Sequence, residues 1–418
     1  MANTHPHPID QRAVKAASAA VFAVFFLNGF NFSSWAARLP AVRDTLDLRP
    51  DQMGVLLLIG SLGALAALPL SGLVMMRLGA PRAVLTFALV NAAGLGIAAL
   101  GVSLGEVVLT GAGLVVVGVG TGVWDASMNL EGALVEQKLG YTIMPRYHAG
   151  FSVGTFVAAG IAALAARAEV PVEIHLVVAV TVSSVAVVFV VRKFLPAGHG
   201  DQPEHEHGEG APPHGAGRRS VFGAWLEPRT LLIGLVVLAA ALTEGAGNDW
   251  LGLAVVDGFG QSDAVGALAF GIFVGAMTLM RFLGTGLLDR FGRVVVLRLC
   301  AGLALVGLLI FGLVPEDMLW LAMIGAVLWG MGASLGFPVG MSAASDDPLR
   351  AAARVSVVST IGYTAFLAGP PLLGLLAGVV GYRHALLAIA VPIVIGLLVV
   401  NAAAPVRGEL ADRPTLVP

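Results

Sequence analysis

Residues Gly118–Glu136 read GVGTGVWDASMNLEGALVE, and they set an acid, Asp125, inside a run that is otherwise small and apolar. On a helix, Gly118, Thr121, Asp125, Asn129, Gly132 and Glu136 share one polar face, while Val115, Val116, Val117 and Val119 stay apolar. A carboxylate in hydrocarbon costs a few kcal/mol even on the most lenient insertion scale, so this face is expected to look away from lipid. Two readings of Asp125 follow. Either it stands on a transport path, or it pairs with a basic residue near the helix end and serves assembly alone.

The composition around that stretch is that of a membrane protein. Of 418 residues, 57% are hydrophobic and 12% charged, with a mean hydropathy of +0.88. Soluble domains carry about twice that share of charge. The 54 glycines lie largely within apolar segments, where small residues let helices approach closely in lipid. The single cysteine, Cys300, excludes an internal disulfide and reads as a packing residue. A net charge of −2 gives no case for a nucleic acid partner. No HExxH or GxSxG occurs, and none of Lys15, Lys138 and Lys193 follows a glycine, so there is no P-loop. The chain is therefore expected to be neither an enzyme nor an ATP-driven pump, and to need no cofactor.

Windows of about 20 apolar residues, long enough to cross a hydrocarbon core of ~30 Å, recur twelve times, from one near Phe25 to one near Ile393. The first carries on to Trp35 with no cleavage site after it and reads as a retained helix. With the N-terminus inside, all of the 24 Lys and Arg fall in cytoplasmic segments except Arg38, Arg43, Arg49, Arg167, Arg383 and the mid-helix Arg281. That bias places both termini in the cytoplasm and supports the even count. The expectation is an all-α integral membrane protein: a six-helix bundle over residues 1–195, a disordered cytoplasmic linker over 196–226, a second six-helix bundle over 227–405 and a cytoplasmic tail over 406–418. The linker carries His199, His205, His207 and His214 among glycines and prolines, and reads as solvated chain, with weak metal binding the alternative.

The two halves can be laid over each other. Gly72–Gly79 (GLVMMRLG) ends the second span and Thr285–Arg293 (TGLLDRFGR) ends the eighth. Gly118 and Gly120 match Gly330 and Gly332, Ser34-Trp35 matches Asp249-Trp250, and Ala159-Gly160 matches Ala368-Gly369. A repeat of this size implies two similar bundles with a site between them, as in a rocking secondary transporter. The two loop segments resemble the GxLxDRxGR motif of the major facilitator superfamily, a resemblance in layout that covers nearly the whole chain. In that family the motif gates the cytoplasmic side, which implies such a role for Arg77, Gly79, Asp289, Arg290, Gly292 and Arg293. The first copy has Met76 where the acid is expected.

A finer resemblance is to the fucose-permease-like and rhizopine-transporter-like branch, carried by FFLNGFNFSSWAARLP, GVWDASMNLEGALVE and PRYHAGFSVG. Fucose permeases pair an acid with an Asn four residues later in the fourth helix, as Asp125 and Asn129 do here. Their first-helix acid is replaced by Trp35. The family's cavity is lined by the first, fourth, seventh and tenth helices, where this sequence puts Asn28, Asn31, Asp125, Asn129, Glu244, Asn248, Asp249 and Ser334. Asp125 and Glu244 are the candidate proton-coupling acids. Asn28, Asn31, Trp35, Trp124, Asn129, Asn248, Asp249, Trp250, Trp329 and Arg281 are the candidate substrate contacts. Interfacial anchoring competes for the tryptophans, and pairing with Glu244 or Asp125 competes for Arg281. Amides, carboxylates and rings suit a neutral polyhydroxy solute such as a sugar or cyclitol.

The expected protein is a multi-pass plasma-membrane monomer whose partners are lipid, a small solute and a proton, taking up the solute by symport. Proton-coupled efflux of a drug or metabolite, and a transporter-like receptor that binds without transport, are the alternatives. The absence of an arginine in the fourth span favours uptake over drug efflux, as does Ala159-Gly160-Ile161 standing in the fifth in place of a Gly-Pro motif.

Overall fold

A computed structural model describes residues 11–139, 141, 143–195, 223–347 and 350–405. Among the described residues there is no strand, and twelve helices are long and apolar enough to cross a membrane, the number the hydropathy windows require. The first half supplies α1 (Gln11–Ala36), a short α2 (Leu39–Thr45), α3 (Pro50–Leu78), α4 (Ala80–Leu104), α5 (Val107–Leu139), α6 (Met144–Arg167) and α7 (Val172–Val190). The second supplies α8 (Pro228–Gly258), α9 (Asp263–Phe291), α10 (Arg293–Leu313), α11 (Leu319–Ala333), α12 (Gly336–Ala344), α13 (Ala351–Val380), α14 (Tyr382–Ala385) and α15 (Ala390–Val399). Helices α11 and α12 make one span, and α14 and α15 another. Most of the expected linker and all of the expected tail lie outside the described residues.

By their contacts the helices form two compact units. One holds α1, α2, α4 to α7 and α3 from Ile59; the other holds residues 49–58 and α8 to α15. Residues 49–58 belong with the second because Gly54 backs onto α13, where an added Cβ would lie 2.6 Å from the carbonyl oxygen of Pro370.

The repeat read from the sequence is visible in the backbone. Gly79 ends α3 with φ 74° and ψ 156°, and Gly292 ends α9 with φ 73° and ψ 162°. Only glycine takes that conformation without strain, so both motif copies stop a helix in the same way and start the next one. Inside the first unit, α4 and α5 pack with so little separation that a Cβ on Gly120 would lie 2.5 Å from the backbone nitrogen of Asn91. Small residues serve this purpose where lipid offers no hydrophobic drive for helix association. Phe25, Trp124, Met128 and Tyr147 fill the core there, and Val237, Met280, Cys300 and Leu335 fill one in the second unit.

The tenth span is interrupted at Ser334-Leu335. Pro338 lacks the N–H that the carbonyl of Ser334 would otherwise accept from, which explains a break at that place.

Candidate functional site

In the first unit the polar residues of three helices form a chain. Asn31 of α1 donates through Nδ2 to Oδ1 of Asn91 in α4 at 3.0 Å, and Asn91 donates through its own Nδ2 to Oγ1 of Thr121 in α5 at 2.9 Å. Thr121 stands one turn before Asp125. Asn31 is 2% exposed with Oδ1 unpartnered, and Asn28, one turn earlier on α1, is 4% exposed with Nδ2 unpartnered. A buried amide that spends one end on the protein and keeps the other free is an incomplete hydrogen-bonding group, expensive unless something completes it. Asn91 is not among the residues singled out from the sequence. Its signal was an amide alone in an apolar run.

Asp125 is exposed, just past the stretch over which α5 packs on α3. Gly118 backs onto Gly60 of α3, and a Cβ on Gly122 would lie 3.0 Å from the carbonyl oxygen of Ala64. Among the described residues, nothing donates to the Asp125 carboxylate and no basic group pairs with it. Asn129 does not orient that carboxylate: its Nδ2 donates to the main-chain oxygen of Asp125 at 2.9 Å. Glu136, at the end of the same face, caps α6 instead, its Oε2 accepting from the amides of Ile143 at 2.7 Å and Met144 at 2.8 Å. Trp35 and Trp124 are buried, and Nε1 of Trp124 has no partner.

In the second unit Glu244 and Arg281 take each other. Arg281 Nη2 lies 2.9 Å from Glu244 Oε1, and its Nε donates to the carbonyl of Ser334 at 3.2 Å, the carbonyl that Pro338 leaves without a donor. One guanidinium thus joins α8, α9 and the break between α11 and α12. Trp329 is occupied as well: its Nε1 donates to Thr243 O at 3.1 Å and its ring meets Phe273 at 5.4 Å between centroids. Asn248, on the Glu244 face of α8, keeps an unpartnered Oδ1. Asp249 and Trp250 lie on another face of that helix, and Trp250 is buried rather than at an interface.

The motif residues divide in the same way. Arg77, Asp289 and Arg290 are exposed, and the Arg290 guanidinium lies 5.2 Å from the Phe291 ring centroid. Arg293 makes a two-point pair with Asp346, past the end of α12, at 2.7 and 2.6 Å, and Arg229 reaches the same carboxylate at 2.7 Å. Nothing in the motif pointed to Asp346, which lies 53 residues from Arg293.

The family model of the Major Facilitator Superfamily matches residues 234–415. An uncharacterized transporter of Sinorhizobium fredii is 31% identical over 388 residues, which is 89% of this chain and 97% of that protein. Among solved structures, the nucleoside transporter NupG superposes with a TM-score of 0.71 at 16% identity, over 92% of this chain and 98% of its own. The E. coli fucose:proton symporter FucP gives 0.62 at 15% identity, over 94% and 100%. At such identities the two structures share the fold alone.

Proposed function

Since this chain belongs to the major facilitator superfamily, whose members are transporters and not enzymes, we propose that it takes up a small neutral polyhydroxy solute across the plasma membrane by alternating access, driven by proton symport. One observation carries the reading: Asp125 is an acid within a membrane span, exposed on α5 and without an ionic partner among the described residues. Glu244, the other candidate, already neutralises Arg281. Protonated, Asp125 is neutral and crosses a poorly hydrated state at low cost; ionised, it does not. A proton taken up outside and released inside with the solute then couples the two gradients.

The unspent Nδ2 of Asn28 and Oδ1 of Asn31 support a hydroxylated solute, because each hydroxyl both donates and accepts. Trp124, 0% exposed in the core of the first unit, offers the solute no ring face, and Asn248 is the amide we assign in the second unit. The printed description of FucP as a fucose:proton symporter agrees with the class of solute and ion.

The test begins with a thermal-shift screen of the purified protein against sugars, cyclitols and small metabolites. Proteoliposomes given the best radiolabelled hit and an inward proton gradient should accumulate it. Asp125→Asn, which imitates the protonated acid, should abolish that accumulation while solute exchange continues at an appreciable rate. If the variant still accumulates solute with proton influx, the coupling group is elsewhere and Glu244 becomes the leading candidate.

A further inference from the structure

The second unit departs from the internal repeat at two places that face each other. Asp249 stands where the first half has Ser34, and Pro370-Pro371 stand where Gly160 is followed by Ile161-Ala162. Ser34 donates to Phe30 O of its own helix at 2.8 Å, so the fold by itself asks for no acid at this position. Asp249 and Trp250 of α8, with Phe366, Gly369, Pro370 and Leu373 of α13, line a small cleft. On α8 Asp249 points about 140° away from Glu244, so the cleft is not part of the Glu244–Arg281 cluster.

Among the described residues, nothing pairs with the Asp249 carboxylate. Helix α13 brings no ionisable group to the cleft. Of the other elements packed on α8, α9 has its Arg281 on Glu244, while α14 has Arg383 donating to Gly258 O and Tyr382 against the Trp250 ring at 5.5 Å. Pro370 removes the N–H that the carbonyl of Phe366, four residues earlier, would accept from. At Ser334 the same loss is made good by Arg281; here no basic side chain does so. The cleft is thus lined by an acid from α8 and by the α13 residue whose carbonyl Pro370 leaves without its helix donor, in otherwise apolar surroundings. Trp250, 1% exposed, adds an indole N–H with no partner.

Carboxylates and carbonyls freed at helix irregularities are the ligands that small cations take inside membrane proteins. We propose that Asp249 and the Phe366 carbonyl hold a small monovalent cation, Na⁺ or a proton, at a site distinct from Asp125. A water carried with the ion accepts from the Trp250 indole.

The experiment reads binding without transport, so its failure leaves the assignment of Asp125 standing, and failure of that assignment leaves this one standing. Unfolding temperature is measured on the purified full chain in detergent, in one series with Na⁺ replacing choline at fixed ionic strength and in another with pH varied in choline alone. The wild type should show a saturable rise with Na⁺, which assigns Na⁺, or a pH-dependent rise that exceeds that of Asp249→Asn, which assigns the proton. Asp249→Asn should abolish the Na⁺ response, or remove the excess in the pH series, while Asp125→Asn should keep the Na⁺ response or that excess. Pro370→Ala, which restores the donor for Phe366, should shift the midpoint by about tenfold in ion concentration through loss of one ligand. A wild type that matches Asp249→Asn in both series overturns the proposal. So does a Pro370→Ala variant, eluting as the wild type does on size exclusion, whose midpoint is unmoved.

Discussion

Arg281 shows how much a single residue's neighbours decide. From the sequence it was either a substrate contact or a counter-charge for Glu244 or Asp125, and only the structure sets it 2.9 Å from Glu244 and on the carbonyl of Ser334. Its partners lie 37 and 53 residues away, and periodicity within one helix says nothing about which faces meet at those separations. Arg281→Leu should strand Glu244 and the carbonyl together. With the arginine side chain 28% exposed, solvent screening trims the penalty of a broken buried pair to about 1–3 kcal/mol. The unfolding temperature in detergent should fall accordingly, and adding Glu244→Leu should recover most of it. A stable single variant that has lost binding of an anionic solute would instead make Arg281 a substrate contact.

At the scale of elements, the spans and their ends were legible, and the seams between helices were not. Gly79 and Gly292 announced two helix stops because the conformation they adopt is costly for other residues. Which of the other glycines lie in a seam is a different matter, since a small residue in an apolar run looks the same facing a helix or facing lipid. Gly120 and Gly96 make the contrast. Gly120→Ala drives a Cβ to 2.5 Å from the Asn91 backbone and should cost about 1–3 kcal/mol as overpacking; because Asn91 links Asn31 to Thr121, solute binding should weaken with it. Gly96→Ala meets nothing within 4 Å and should stay within about 0.5 kcal/mol of the wild type. Thermal unfolding of the two variants beside the wild type decides the point, and equal effects would mean that the α4–α5 seam is looser than it stands.

Over the whole molecule, charge is concentrated at the ends of spans, and in the second unit it is knotted there. Asp346 holds Arg229 and Arg293, while Glu227, just before α8, accepts from Arg354 at 2.6 Å, Arg350 at 3.0 Å and Thr230 at 3.0 Å. Burial pushes the Glu227 carboxyl up, but the hydrogen bonds from Arg354, Thr230 and Arg350 outweigh it and hold the group below its ordinary range. A carboxyl depressed in the folded state stabilises fully above its unfolded pKa, and that contribution fades as pH falls through the folded value. The wild-type unfolding temperature should therefore drop on acidification below about pH 4.3. Glu227→Gln should start lower at neutral pH and lose less, and an acid limb unchanged by the substitution would remove Glu227 from the account. The sequence by itself determined the twelve spans, the repeat of six and six, the helix-stopping glycines and the family, because apolar length, spacing and turn chemistry are summed along the chain and need no knowledge of what lies opposite. Only the tertiary structure decided that Arg281 belongs to Glu244, Arg293 to Asp346 and Asn31 to Asn91, and that Asp125 and Asp249 have no ionic partner among the described residues. Those outcomes depend on the rotation of each helix about its axis and its register against neighbours tens of residues away, which close packing of the assembled helices sets.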